Sequence, residues 1–233
     1  MKRFYKTAGV GLAADEAGWS VLLDGKAIRT PAKAALVVPT RALAEAIAEE
    51  WAAQSGNVKP ASMPLMRLAC TAIDRVAPQM AEVIAEIAGF GRSDLLCYRA
   101  EGPRELVERQ VELWQPWLDW AAERLGARLL TTRGVSPVEQ PPEALAALRA
   151  SVEAFDAFHL TGLHGLVTGY GSLVLGLAVM KAALSPELAW QAAQCDETYQ
   201  EERWGSDAEA LARRHGLKAD IDATHRFVAV LKG

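Results

Sequence analysis

The feature that most constrains this chain is a change in the spacing of its apolar residues near residue 40. Before that point, Trp19, Val21 and Leu23 recur at every second position, which is the pattern of a half-buried β-strand. Asp24-Gly25 follows directly, and this pair favours a tight hairpin turn because Gly adopts a positive φ without strain. The first 39 residues therefore predict antiparallel strands joined by short turns.

After residue 40 the apolar spacing becomes helical. Leu43, Ile47 and Trp51 lie four positions apart and form the apolar face of an amphipathic helix. Thr40 precedes them as a predicted N-cap, since its hydroxyl can accept a hydrogen bond from an early backbone N–H. Trp51 ends this apolar stripe, and we expect it to be a buried structural residue where two predicted domains meet.

The rest of the chain predicts helices. We therefore expect an α+β fold, with a small N-terminal antiparallel β-rich domain that includes one helix (residues 1–57) and a larger all-α helical domain (58–233). The predicted helices of the second domain span residues 63–76, 78–90, 103–126, three segments within 142–184, then 186–204, 206–215 and 221–231. Pro116 is expected to kink or break the helix that contains it. Residues 132–142, with three prolines, are expected to be a loop.

Length, charge and cysteine content exclude some classes of protein. The 233 residues are enough to bury a core, and 51% of them are apolar, an ordinary share for a globular protein. The net charge of −4 provides no basic footprint for nucleic acid. Cys70, Cys97 and Cys195 form no CxxC pair and no metal-ligand spacing, so we expect three reduced thiols and no metal.

The segment Leu160–Met180 contains no Asp, Glu, Lys or Arg, and it has the length of a membrane span, roughly 20 residues. Its five glycines weaken a single continuous helix, and its Thr, Ser, Tyr and His residues are polar. We therefore predict two shorter buried helices that meet near residues 169–171 and no membrane insertion. A membrane-associated helical protein is the alternative.

The N-terminus, MKRFYK, has a basic pair but no apolar segment after it, so it does not resemble a secretory signal. It also lacks the long Arg- and Ser-rich stretch of a mitochondrial transit peptide. This pattern favours a bacterial cytoplasmic protein, or a mitochondrial matrix protein in a processed mature form.

The densest acidic cluster lies between residues 196 and 202 and is flanked by aromatic residues. Glu197 and Glu201 lie four positions apart and share one face of a predicted helix. Large aromatic side chains beside charge are common in binding surfaces, so the cluster is either a solvated face or a partner-binding surface. The candidate partner-binding residues are Asp196, Glu197, Tyr199, Gln200, Glu201 and Trp204.

An enzyme that combines these carboxylates with a histidine is the alternative hypothesis. His159 and His164 lie in apolar sequence and are expected to be core residues, although a buried His can act as a general base. The four histidines contain no pair at positions i and i+4, so no metal-binding face is predicted. No phosphate loop or nucleophile motif is present, so we assign no catalytic residue, no cofactor and no nucleotide.

Trp114, Trp117 and Trp120 recur every three residues around Pro116. Such a stripe is usually part of a hydrophobic core, and a partly exposed aromatic groove is the alternative. Trp114 is therefore predicted to be a structural residue.

Several short segments, taken in order, resemble the ATP-twelve family of assembly chaperones. They run through nearly the whole chain: RFYK at 3–6, LDGK at 23–26, RTP at 29–31, AIAEEW at 46–51, MPL at 63–65, DLLCYR at 94–99, RQ at 109–110, WQP at 114–116, GSL at 171–173, DETYQ at 196–200 and WG at 204–205.

This resemblance implies a β-rich N-terminal domain and a helical C-terminal domain, as the apolar spacing also predicts. It further implies a protein that is not an enzyme and that binds and shields the free alpha subunit of the ATP synthase catalytic head by passive, ATP-independent holding. Glu197, within the DETYQ segment, is the residue that we most expect to contact this partner.

Overall fold

The structure, a computed structural model, describes residues 2–14 and 17–232. These residues form two compact units. The first contains the residues up to Met80, the segment Asp156–Gly162 and the residues from Asp220 onward. The second contains Ala81–Phe155 and Leu163–Ala219. The compact units divide the chain at positions other than the predicted domain boundary between residues 57 and 58. That boundary stays a prediction.

The α+β fold is confirmed, with a small N-terminal antiparallel sheet and a helix followed by mostly helical sequence. The strands are β1 (Ala8–Leu12), β2 (Trp19–Leu23), β3 (Lys26–Ala27), β4 (Val37–Val38), β5 (Tyr98–Arg99) and β6 (Thr132–Arg133). The α-helices are α1 (Arg41–Ala52), α2 (Pro64–Thr71), α3 (Met80–Gly89), α4 (Arg104–Trp120), α5 (Pro142–Glu153), α6 (Ala157–Tyr170), α7 (Leu173–Met180), α8 (Pro186–Ala193), α9 (Cys195–Trp204) and α10 (Ala208–Leu231). Short 3-10 segments span Pro60–Ser62, Ala77–Gln79, Phe90–Arg92 and Leu95–Cys97, and π-helical turns span Ala72–Val76 and Ala121–Leu125.

Strand β2 is the centre of the N-terminal sheet, with antiparallel pairing to β1, β3 and β4. The predicted hairpin is confirmed, since Leu23 pairs with Lys26 across the turn. Asp24 and Gly25 have φ angles of 48° and 78°, the left-handed conformation that a two-residue hairpin turn requires. The Asp24 carboxylate also accepts a hydrogen bond of 2.8 Å from the backbone N–H of Thr7, which joins this turn to the chain before β1.

Helix α1 begins where the sequence predicts. The Thr40 hydroxyl caps it by accepting a hydrogen bond of 3.1 Å from the Leu43 N–H. Leu43 and Ile47 are fully buried, and Trp51 is 9% exposed. The Trp51 ring lies 5.4 Å from the Tyr5 ring in an edge-to-face arrangement, and the Tyr5 hydroxyl donates a 2.6 Å hydrogen bond to the Trp51 carbonyl.

The first unit extends beyond residue 57 because later segments complete its core. Glu50 of α1 accepts hydrogen bonds of 2.8 Å from the Leu65 and Met66 N–H groups at the start of α2. Phe227 and Leu231 of α10 belong to the same buried cluster as the apolar side chains of the sheet and of α1.

In the second unit, the buried carboxylate of Asp94 organises the start of α7. It accepts hydrogen bonds from the Ser172 hydroxyl at 2.8 Å and from the Val174 N–H at 3.0 Å. Burial raises the pKa of Asp94, and these hydrogen bonds oppose that rise. Ser172 in turn caps α7 through the Leu175 N–H at 3.1 Å.

The uncharged segment 160–180 forms α6 and α7, separated at Gly171 and Ser172, as two buried helices were predicted. A Cβ atom on Gly176 would lie 2.6 Å from the Val167 side chain, so glycine permits the close approach of these two helices. Within the described part of the chain, every helix is too short or too polar to cross a membrane.

The structure differs from the predicted helix boundaries in two places. The segment 186–204 is two helices, because Gln194 between them leaves the helical conformation, with φ −107° and ψ 23°. Conversely, α10 is continuous where two helices were predicted. It passes through Gly216, whose cost inside a helix is only about 1 kcal/mol relative to alanine and is readily offset by packing.

The break that was one expectation at Pro116 is absent, because α4 is continuous from Arg104 to Trp120, and the kink that was the other stays a prediction. The missing N–H of Pro116 removes the usual helical donor to the carbonyl of Glu112, which is an exposed residue. The predicted loop 132–142 contains one two-residue strand at its start, β6, which pairs in parallel with β5.

We expect Glu50→Ala to lower the free energy of unfolding by about 2–4 kcal/mol, because it leaves two N–H groups at the start of α2 without an acceptor. Glu45→Ala is the matched control on the same helix, since Glu45 forms an exposed ion pair with Arg41 at 2.7 Å. Urea denaturation followed by circular dichroism measures both. Equal losses in the two variants would show that the Glu50 contacts do not stabilise the unit.

Candidate functional site

Helix α9 presents the predicted partner-binding residues on different sides. Cys195 and Tyr199 are 1% and 5% exposed and pack inward. Glu197, Gln200 and Trp204 are exposed. This distribution follows from the helical period, which puts residues three or four apart on the same face.

Asp196 is engaged inside the second unit. Its carboxylate accepts a 2.7 Å hydrogen bond from the side-chain amide of Gln110. Gln110 is 1% exposed, and its own amide oxygen accepts from the Ala100 N–H at 2.8 Å. The buried guanidinium of Arg99 donates to the Gln110 carbonyl at 2.9 Å. Asp196 therefore closes a polar network that fixes α9 against α4, and its role in partner binding stays a prediction.

Glu201 is also engaged within the unit. It forms an ion pair with Arg214 of α10, in which both side chains are less than one-third exposed. Arg214 donates a second hydrogen bond, of 2.7 Å, to the Thr198 hydroxyl. These contacts hold α9 and the first part of α10 together.

A third acid of the cluster, Glu202, pairs with Arg109 of α4 at 2.8 Å. This contact lowers the pKa of Glu202. The guanidinium groups of Arg109 and Arg203 lie 5.5 Å and 5.9 Å from the centre of the Tyr199 ring. Tyr199 is thus a buried ring close to two cations, a packing position that limits its access to a partner.

The remaining candidates form one exposed patch, which we call the α9 face: Glu197, Gln200 and Trp204. Glu197 and Gln200 make no side-chain hydrogen bond or ion pair with the residues that the structure describes. Trp204 is 75% exposed, although most of its large ring is apolar. The α9 face therefore combines an unpaired negative charge, an amide and a large apolar ring.

Glu197 and Gln200 also line a polar groove of about 560 Å³ between α9 and the first turns of α10. Asp207 and Arg213 lie along its other wall. The sequence did not predict these two residues as part of the site. Their proximity to α9 depends on the turn at 205–207, and no regular spacing of residues indicates such a turn.

Two of the histidines, His159 and His164, contact acids outside α9, and both are partly exposed, so the expectation that they are core residues was wrong. His164 lies 3.1 Å from Glu86, and His159 lies 2.9 Å from Asp156. No group of three His, Cys, Asp or Glu side chains in residues 2–14 and 17–232 has a geometry that could hold a metal ion. The contacts of His159 and His164 therefore do not support the hypothesis of an enzyme that combines either of them with the acidic cluster.

Trp114 has a structural position. It is 1% exposed, its indole N–H donates to the Ala192 carbonyl at 2.8 Å, and Arg99 lies 5.3 Å from its ring centre. The nearby thiols Cys97 and Cys195 are buried, and burial raises the pKa of each to about 12. These thiols are chemically inert at neutral pH.

Comparison with known families identifies the chain. A family model described as "ATP12 chaperone protein" matches residues 2–122, which is more than half of the sequence. The chain belongs to the ATP12 chaperone family. This is the ATP-twelve family that the ordered segments resemble, and its members are chaperones of ATP synthase assembly.

Individual relatives agree with this assignment. The crystal structure of Atp12 from Paracoccus denitrificans is 46% identical, with a TM-score of 0.94 and coverage of 99% of this chain and 98% of that one. A lysine-for-aspartate mutant of the same Paracoccus protein matches equally well, with a TM-score of 0.94. The mitochondrial protein atp12 of Schizosaccharomyces pombe is 26% identical over an alignment of 217 residues, with coverage of 88% of this chain and 74% of that protein.

The different contacts of Asp196 and Glu197 generate a stability prediction. Asp196→Ala should lower the free energy of unfolding by about 1–3 kcal/mol, because the buried amide of Gln110 loses its acceptor. Glu197→Ala should change it by less than about 0.5 kcal/mol, as is usual for an exposed position. Chemical denaturation of both variants tests this prediction. An Asp196→Ala variant as stable as the unmutated chain would contradict the proposed network.

Proposed function

We propose that this chain binds the unassembled alpha subunit of the ATP synthase catalytic head and holds it, without ATP and without chemistry, until the head forms. The family assignment supports the role in ATP synthase assembly. The observation that supports a binding surface on α9 is that Glu197 and Trp204 stay exposed while the neighbouring acids are engaged within the unit.

The physical need for such a protein is simple. A subunit that waits for its partner exposes an apolar interface, and exposed apolar surfaces aggregate. A holding chaperone covers that surface and later gives way to the permanent partner. The permanent interface is larger and more apolar, so it displaces a smaller and more polar contact.

The composition of the α9 face suits a contact of this kind. Exposed tryptophan is a frequent anchor of protein interfaces, because its ring buries a large area with few rotatable bonds. The free carboxylate of Glu197 favours a basic patch on the partner and increases the rate of encounter with it. We therefore propose that Trp204 packs against the alpha subunit and that Glu197 faces a cation on it.

The proposed role requires no metal, no nucleotide and no catalytic residue, since holding depends on contact alone. The similarity to a Paracoccus denitrificans protein over nearly the whole chain supports a bacterial location, which we propose to be the cytoplasm, where ATP synthase subunits are made.

The central test is capture of purified free alpha subunit. We expect Glu197→Lys to weaken capture about tenfold or more, because it places a like charge opposite a basic patch, and to leave the melting curve unchanged. Glu112→Lys is the matched control: Glu112 is also an exposed helical acid, on α4, and makes no side-chain hydrogen bond or ion pair with the described residues.

Surface plasmon resonance with immobilised alpha subunit provides the two affinities. Full capture by a folded Glu197→Lys protein would remove Glu197 from the interface. Failure of the unmutated chain to bind alpha subunit at all would reject the proposed partner.

Passive holding makes a separate prediction. The dissociation constant for alpha subunit should be the same, within about twofold, with ATP, with ADP and without nucleotide, since the proposed contact involves no nucleotide on the chaperone. Calorimetric titration of the chaperone alone with ATP should detect no heat of binding. Micromolar ATP binding would show that the mechanism is not passive.

A further inference from the structure

The first unit contains a second concave surface, distant in sequence from α9. It is an apolar groove of about 470 Å³ beside α2, and we call it the α2 groove. Its apolar walls are formed by Trp51, Val58, Met63, Met66 and Cys70.

The arrangement of α2 explains why this groove exists. Leu65 and Ala69 are fully buried and fix one side of the helix in the core. Met66 and Cys70, each one position further along, are only partly buried: they pack against the edge of the same core and also line the groove. The apolar surface of α2 therefore extends beyond the part that the core covers completely.

The indole N–H of Trp51 is a buried donor without an acceptor among the described residues. The ring is 9% exposed and is positioned by Tyr5, whose hydroxyl binds the Trp51 carbonyl and not the indole. A buried donor without a partner is costly, and since this nitrogen is itself covered, it lies within the wall of the groove and is not a contact point for a bound molecule.

One edge of the groove is basic. Arg75 is exposed and has no ion pair with the described residues, and Arg67 lies 3.9 Å from Asp220, a long and exposed contact. The acid at this edge, Asp74, accepts from the Thr30 hydroxyl at 2.6 Å and from the Ala32 N–H at 3.1 Å, and these neutral donors leave its charge in place. Among the residues that line the groove, Arg67 and Arg75 exceed Asp74 by one positive charge.

We propose that the α2 groove binds a short apolar segment of the client polypeptide that carries an acidic residue beside its apolar side chains. This proposal rests on the proposed function, which makes the client a polypeptide. The apolar side chains fill the groove, and the carboxylate pairs with Arg75 or Arg67.

The size of the groove agrees with this occupant. An apolar cavity of about 150 Å³ holds one benzene ring, so a groove about three times larger holds about three apolar side chains. Met63 and Met66 add adaptability, because unbranched thioether side chains repack easily around different shapes. A groove with these walls can accept more than one apolar sequence.

The test uses the full chain and fluorescein-labelled 15-residue peptides that tile the alpha subunit, with binding measured by fluorescence anisotropy. We expect binding of peptides that combine apolar residues with Asp or Glu. Cys70→Trp, which fills the groove, should weaken their binding about tenfold or more. Arg75→Glu should weaken it about fivefold, and the exposed control Arg128→Glu should leave it unchanged.

A peptide in which the acid is replaced by lysine adds a double-mutant cycle. The loss caused by this replacement should be smaller, or reversed, on Arg75→Glu than on the unmutated chain. If Cys70→Trp does not fold, the folded chain is labelled at Cys70 with N-ethylmaleimide at alkaline pH instead. Cys97 and Cys195 are buried, so Cys70 is the accessible thiol among the three, although burial raises its pKa to about 11.

The proposal is overturned if no peptide binds, or if peptides bind the filled or labelled groove as well as the open one. Myristate is tested in the same assay, and binding of myristate without binding of peptides would assign the groove to an acyl chain. Capture of whole alpha subunit without peptide binding would reject the groove proposal alone. Peptide binding at the groove without capture of the subunit would reject the proposed function alone.

Discussion

The carboxylate of Glu50 fixes where α2 begins, and much of the first unit depends on that position. Pro64 at the start of α2 has no N–H, so the first free donors of the helix belong to Leu65 and Met66. Glu50 accepts from both. Burial raises the pKa of this carboxyl, and the two donors oppose the rise, so the charged acid is tolerable only while α2 stays in place. The same contact sets which side of α2 enters the core and which side lines the groove.

The parts of the fold that local chemistry determines could be predicted from the sequence. The hairpin at Asp24-Gly25 and the cap at Thr40 depend on residues within a few positions, and both are present. The break at Gln194 and the continuity of α10 could not be predicted, because they depend on tertiary contacts. Arg214, for example, joins α10 to Glu201 and Thr198 and so supports a helix that Gly216 weakens locally.

The candidate site shows the same limit. The sequence located an acidic cluster with aromatic neighbours, but it did not reveal which acids were already occupied. Asp196 binds a residue 86 positions away, and Glu202 binds one 93 positions away. Such separations leave no periodic signal in a single sequence. Only the contacts reduce the predicted set to the α9 face, where Glu197 and Trp204 are exposed.

The two proposed surfaces have opposite chemistry, and this difference suits a chaperone that must release its client. The α9 face offers a negative charge and an exposed ring, whereas the α2 groove offers apolar walls and a basic edge. Each is small compared with a permanent subunit interface, so each alone binds weakly and dissociates quickly. In the proposed role, weak contacts of this kind allow the permanent partner to displace the chaperone, so the proposal needs no hydrolysis step to drive release.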